Sequence, residues 1–370
     1  MELRIGEVER DLVLEDEVTV VPEGKEIRVK GSVICRGSCR FRGSLEAVSL
    51  KASGDVEIEG WLWAADNVSV DGALTVEGDI YCRRLRAENL EVRGMLSVEE
   101  ASVADALVAG EIIANSVSAG DTLEAIKASA RKLSAGDSVK IQEIFAENVT
   151  AGDEVTANLI VALSVTAGDE IRAERLEAER VSAGDNVKAE EVRVLQLSVG
   201  GDVKVRGALN AERLSAGGDI EASELVGETI SAGSRVRVTG NAFVGSISVG
   251  DELDVGGTMK ATSASIGSKL RTGKGAWVLS LKVEDDGELQ GLVVAGDVRL
   301  GDGCTADTIY ARSFYCGEGC KVRELHAEEA YVGEGSVIGK LNYVQRAYME
   351  EEARALEMEK IERIDAPPDP

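Results

Sequence analysis

The strongest constraint on the fold is a spacing. The tripeptide Ala-Gly-Asp begins at Ala119, Ala135, Ala151, Ala167 and Ala183, each sixteen positions after the last. Variants continue the series from Ser198, Ser215, Ser231, Ser248 and Ser265, at steps of sixteen or seventeen positions. Near the C-terminus the turn becomes Gly301-Asp302-Gly303, Gly317-Glu318-Gly319 and Gly333-Glu334-Gly335, again sixteen apart. Such a period marks a repeat architecture, in which each unit covers its apolar face with its neighbours.

One repeat can be read residue by residue. Val181 and Ala183 are apolar at i, i+2, then Gly184, Asp185 and Asn186 make a turn. Val187 with Ala189 and Val192 with Val194 form two further pairs, and Leu197 opens the next repeat. Alternation with period two is the strand signal, and a glycine in every repeat argues against helix. The expected fold is therefore all-β. It is a single long β-helix with three short strands per coil, each coil sixteen or seventeen positions long, and a roughly triangular section. Ala157, Ala173 and Ala189 fall in one inward column. Composition suits a narrow interior: aromatics are only 4%, and Ala, Val, Leu and Ile carry the apolar fraction.

The same register divides the chain. Residues 1–25 read as an N-terminal cap or extension, 26–361 as about 19–20 coils, and 362–370 as a disordered tail. Between about 60 and 115 the register slips and has no unique assignment. Residues 346–361 read as a last coil. The rival reading is a capping helix, because the segment is rich in Glu, Ala, Met and Arg.

The formal charge of −26 opposes contact with nucleic acid or anionic lipid, whose binding depends on Lys and Arg neutralising phosphate. No apolar leader opens the sequence and no run approaches a membrane span, so a soluble cytoplasmic protein is expected, with no membrane contact. Six cysteines in 370 residues make no disulfide framework. Cys304 and Cys320 share one interior column at a spacing compatible with a disulfide, and read as two buried thiols.

Three outward features invite a function. The Gly-Asp turns stack Asp121, Asp137, Asp153, Asp169, Asp185, Asp202, Asp219 and Asp251, one per coil. This column is either a repeat calcium site or a set of turn residues, with Asp capping its own backbone while Gly takes positive φ. Ser118, Ser134, Thr150, Thr166 and Ser182, continued by Ser198 to Ser265, make a hydroxyl column. In the last coils that column becomes Tyr315, Tyr331 and Tyr348, a ladder or a contact patch. The lone His326 points outward by register. No nucleophile elbow, phosphate loop or zinc motif is present, so neither an enzyme nor a cofactor is expected.

The segment Phe314-Tyr-Cys-Gly-Glu-Gly-Cys-Lys-Val-Arg-Glu-Leu-His-Ala-Glu-Glu-Ala-Tyr-Val-Gly-Glu-Gly resembles the repeats of bactofilins, polymer-forming cytoskeletal proteins. Coil length, glycine position and inward pairs agree over about 27–361. The resemblance implies a right-handed β-helix that polymerises end to end without nucleotide. This chain departs from the family in having about three times its usual number of coils and no long Pro-rich N-terminal tail. The expectation is a structural, non-enzymatic scaffold whose partner is itself, forming end-to-end filaments. Tyr331, Tyr348, Met349, Ala353 and Ala355 are the candidate assembly surface. The alternative is a monomeric, rigid acidic rod that binds protein or calcium.

Overall fold

The computed structural model describes residues 1–367. It is all-β, with no helix among the described residues, and forms a parallel β-solenoid of about 22 turns. The chain divides into two compact units, Met1–Ala183 and Gly184–Pro370.

In the first unit the inward pairs fall where the period-two pattern puts them. Val33, Leu45, Val56, Leu62 and Leu74 are each at most 1% exposed. Up to Val76 each turn is made of short strands of two to five residues. From Asn89 onward one strand of 13–15 residues runs through each turn, for example Leu107–Ala119 and Ser138–Ala151. The expected three short strands are thus fused, because hydrogen bonding to the next turn continues across the corners. From Leu107 to Ala167 the register step is a constant sixteen positions, such as Ile112 on Ala128 and Ile144 on Ile160.

The segment that resisted assignment has uneven steps. Trp63 pairs with Tyr81 eighteen positions on, Ile80 with Leu96 sixteen on and Leu90 with Leu107 seventeen on. A bulge between Val92 and Met95 absorbs one step. Residues 1–25 also form turns. Strand Glu2–Ile5 pairs with Val18–Pro22 and Leu12–Leu14 with Ser32–Cys35, the latter at a step of twenty-one. These longer steps hide the register from a fixed-period reading, while the turns made by residues 1–25 raise the turn count above 19–20.

In the second unit a short strand alternates with one of eight or nine residues, as in Val203–Val205 and Ala208–Ala216. From Glu288 to Met349 each turn is again one strand of 12 or 13 residues. Residues 346–361 are a last turn and not a helix. Tyr348 and Met349 end the strand Val337–Met349, and Arg354–Lys360 pairs back on it with Ala355 on Ile338. Of the expected disordered tail, 362–367 carry no strand and 368–370 lie outside the described residues.

Two expectations about the interior are corrected. Ala157 and Ala189 are buried at 7% exposure, but Ala173, which stacks on Ala157, is only half-buried. Glycine in the Ala-Gly-Asp turns does not take positive φ. A Cβ at Gly136 would lie 1.7 Å from the Gly120 carbonyl oxygen, so the turns stack too closely for any side chain. Among the described residues glycine takes positive φ only at Gly275, Gly291, Gly303, Gly319 and Gly335, the last three with φ of 65–68°.

Candidate assembly surfaces

Outward residues alternate with inward ones in each turn, and stacking aligns them into columns, of which three in the second unit run through Lys204, Asn210 and Ser215. In the second unit the first column reads Lys204, Glu221, Arg237, Asp254 and Arg271. It is charged at each of these five steps and passes to Gln290 at the next. The ion pairs near it are exposed, such as Arg235 with Glu252 at 3.8 Å, and each is worth about 0–1 kcal/mol.

The third column carries the predicted hydroxyls. In the first unit Ser118, Ser134, Thr150, Thr166 and Ser182 are in register. In the second, Ser198, Ser215, Ser231, Ser248 and Ser265 lead through Lys282 and Arg299 to Tyr315, Tyr331 and Tyr348. The three tyrosine rings stack face to face, with centroids 5.0 and 5.1 Å apart. Arg299, Ser313, Arg346 and the tyrosines line a shallow groove on this side. The Tyr331 hydroxyl donates to the Glu350 carboxylate, which pushes its pKa up to about 12.

The other predicted assembly residues are brought to the same end of this unit. Met349 stands on Val332, and Ala355 on Ile338, which are both 0% exposed. Met349 and Ala355 themselves are half-buried. Ala353 lies in the intervening turn, where its N–H donates to the Glu350 carbonyl at 3.2 Å. The reading missed Met358, which continues the same interior: it stands on Leu341, 0% exposed, yet is itself 48% exposed. The Leu325, Leu341, Met358 spacing of sixteen and seventeen was the available signal. No strand other than Val337–Met349 pairs with Arg354–Lys360 among the described residues.

The acidic column divides in two. In the shorter turns, with a step of sixteen, the backbone of one Asp bonds the next, as from Asp153 N–H to Asp137 C=O at 2.8 Å. In the Gly-Gly-Asp turns of Asp202 and Asp219 the side chain takes over. The Asp202 Oδ1 accepts the Asp219 N–H at 2.9 Å, and Asp219 accepts that of Arg235. These carboxylates cap the following turn, where the sequence suggested capping of their own. No cluster of three or more His, Cys, Asp or Glu side chains able to hold a metal occurs among the described residues.

All six cysteines are free thiols. Cys304 and Cys320 are 0% exposed and donate to the carbonyls of Glu284 and Gly301, both at 3.1 Å. His326 is outward but covered, with its side chain only 12% exposed. Compared with known proteins, the chain matches no family model, no curated protein and no solved structure. No helix among the described residues is long and apolar enough to cross a membrane.

Proposed function

We propose that the protein is a structural, non-enzymatic scaffold that assembles end to end with further copies of itself, without nucleotide or cofactor. One observation carries this reading. The inward column Leu325, Leu341, Met358 is sealed at its first two positions and open at its last, where Met358 is 48% exposed. An open apolar section beside a strand with one unpaired edge is a template for another chain. A second copy satisfies both needs, covering apolar side chains and supplying backbone partners. The resemblance of 314–335 to bactofilin repeats supports the same reading, as does the ladder of Tyr315, Tyr331 and Tyr348, whose last ring is 57% exposed.

The test is sedimentation and electron microscopy of the purified chain at tens of micromolar. The expected result is polymers for wild type. Met349→Lys places an ammonium in the stacking surface, where an unpaired charge is strongly disfavoured, and should give a folded protein that stays short. A wild type that remains monomeric, or a Met349→Lys variant that polymerises normally, rejects the reading.

A further inference from the structure

The middle outward column of the second unit breaks the chemistry of its neighbour. It reads Val226, Phe243, Lys260, Trp277, Val294 and Tyr310, one residue per turn, in parallel register. The first column is charged at each of Lys204, Glu221, Arg237, Asp254 and Arg271. In the four turns centred on Phe243, Lys260, Trp277 and Val294, the residues two places before are Asn, Thr, Gly and Leu. Those two places after are Gly, Thr, Leu and Gly. Lys260 is the one ionised side chain among these positions, and its ammonium lies 6.0 Å from the Phe243 ring centroid, whereas one turn earlier Glu224 and Glu228 flank Val226. Within these four turns Phe243 and Leu279 are 41% and 57% exposed.

The patch is also level. A Cβ at Gly275 would lie 2.8 Å from the Trp277 ring, so the indole lies against that backbone instead of projecting from the face. Contiguous exposed apolar surface of this kind marks a contact site.

We infer that this face pairs with the same face of a second copy, side by side, and that the pairing operates between end-to-end polymers. The argument from charge selects the occupant. Two chains of net charge −26 repel each other, and a face almost without charge is where they can meet. A cationic partner would gain nothing here that the acidic surface elsewhere does not offer better. The argument from area selects the setting. Four turns at about 4.8 Å, about 13 Å across, give roughly 250 Å² per copy. A single pair thus buries roughly 500 Å², below the ~1,200 Å² of complexes stable by themselves. A polymer presents the patch repeatedly, and after the first contact the next ones are intramolecular, so weak pairs add. The inference therefore rests on the end-to-end reading. Salt should strengthen it, because the Debye length falls from about 30 Å at 0.01 M to about 8 Å at 0.15 M.

The experiment is electron microscopy of the full chain at both salt concentrations, for wild type, Phe243→Glu and Leu279→Glu. Both substituted residues point outward, so folding, checked by circular dichroism, is expected to be retained. Wild-type polymers should be paired at 0.15 M salt, and more of them paired there than at 0.01 M. Either variant should give single polymers of unchanged length. Wild-type polymers that stay single, or variants that pair as wild type does, overturn the lateral face and leave end-to-end assembly standing. Absence of polymers in every sample overturns end-to-end assembly, and the lateral pairing with it.

Discussion

His326 lies flat on Tyr310, with the two ring planes 2° apart and the centroids 4.3 Å apart. The imidazole is held on two other sides. Asn342 Nδ2 donates to its Nδ1 at 3.1 Å, which leaves the proton on Nε2 to donate to Glu324 at 3.0 Å. Asn342 is buried, so removing the imidazole strands a buried donor.

His326→Ala should therefore cost about 1–3 kcal/mol, the penalty for an unsatisfied buried group, in chemical denaturation at pH 7. The pH dependence follows from Glu324. The hydrogen bond from His326, ahead of the nearby Lys340 and Arg323 charges, holds its carboxyl below the usual 4.5. A depressed carboxylate contributes stability above its unfolded pKa and loses it as pH falls through the folded value. Wild type should thus lose stability below about pH 4.5 more steeply than His326→Ala, as read by denaturation midpoints at pH 3.5, 4.5 and 7.

Tyr331 offers a second titration. Its hydroxyl bond to Glu350, the largest cause, together with desolvation and then neighbouring charge, pushes its pKa up to about 12. A raised tyrosine contributes stability fully below its unfolded value near 10 and loses it as pH rises towards 12. Ultraviolet difference titration should show a late-ionising tyrosine in wild type. Glu350→Gln should move that step towards pH 10, and a step that stays near 12 in this variant would show that the bond is not its cause.

The glycines of the turns separate two physical demands. Gly136→Ala drives a methyl into the Gly120 carbonyl, 1.7 Å away, and the stacked turns have no room to part. The cost should be about 1–3 kcal/mol or more, as for overpacking. Gly319→Ala meets nothing within 4 Å but holds φ at +65°, so its cost should be about 1–2 kcal/mol, the left-handed penalty alone. The two can be told apart by a compensating residue: Gly319→Asn should recover much of the loss, because Asn tolerates left-handed φ, whereas Gly136→Asn should be worse than Gly136→Ala.

How much of this was legible in the sequence depended on the constancy of the step. Where turns repeat every sixteen positions, the inward residues Val155, Ile160, Val165 and Ile171 could be named without a structure, and each is 0% exposed. Where steps lengthen to eighteen or twenty-one, as from Trp63 to Tyr81 or Leu12 to Val33, a fixed period loses the register. The tyrosine ladder was readable because Tyr315 and Tyr331 are sixteen apart. The apolar column through Phe243 and Trp277 was not, since its members differ in type and Lys260 interrupts them. The burial of His326 was not readable either. It depends on the ring of Tyr310 and the amide of Asn342 closing over it, which sequence spacing alone does not convey.

The acidic turns yield the last prediction, because two aspartates that look alike in sequence do different work. Asp137 sits in a shorter turn whose backbone bonds its neighbours directly, with its N–H 2.9 Å from the Asp121 carbonyl. Asp202 sits in a longer turn where the extra glycine displaces the backbone, and its Oδ1 holds the Asp219 N–H at 2.9 Å. That bond, then the one from Lys204, pulls the Asp202 carboxyl below its usual 3.8. Asp202→Ala should cost about 0.5–2 kcal/mol, like the loss of a helix cap, whereas Asp137→Ala should stay within about 0.5 kcal/mol. Asp202→Asn keeps an acceptor and should recover part of the loss. The carboxylate's contribution is present above about pH 3.8 and fades as pH falls through the lowered value, so the gap between wild type and Asp202→Ala should narrow in acid. Equal losses at both positions would show that the column acts through shared charge and not through capping of the following turn.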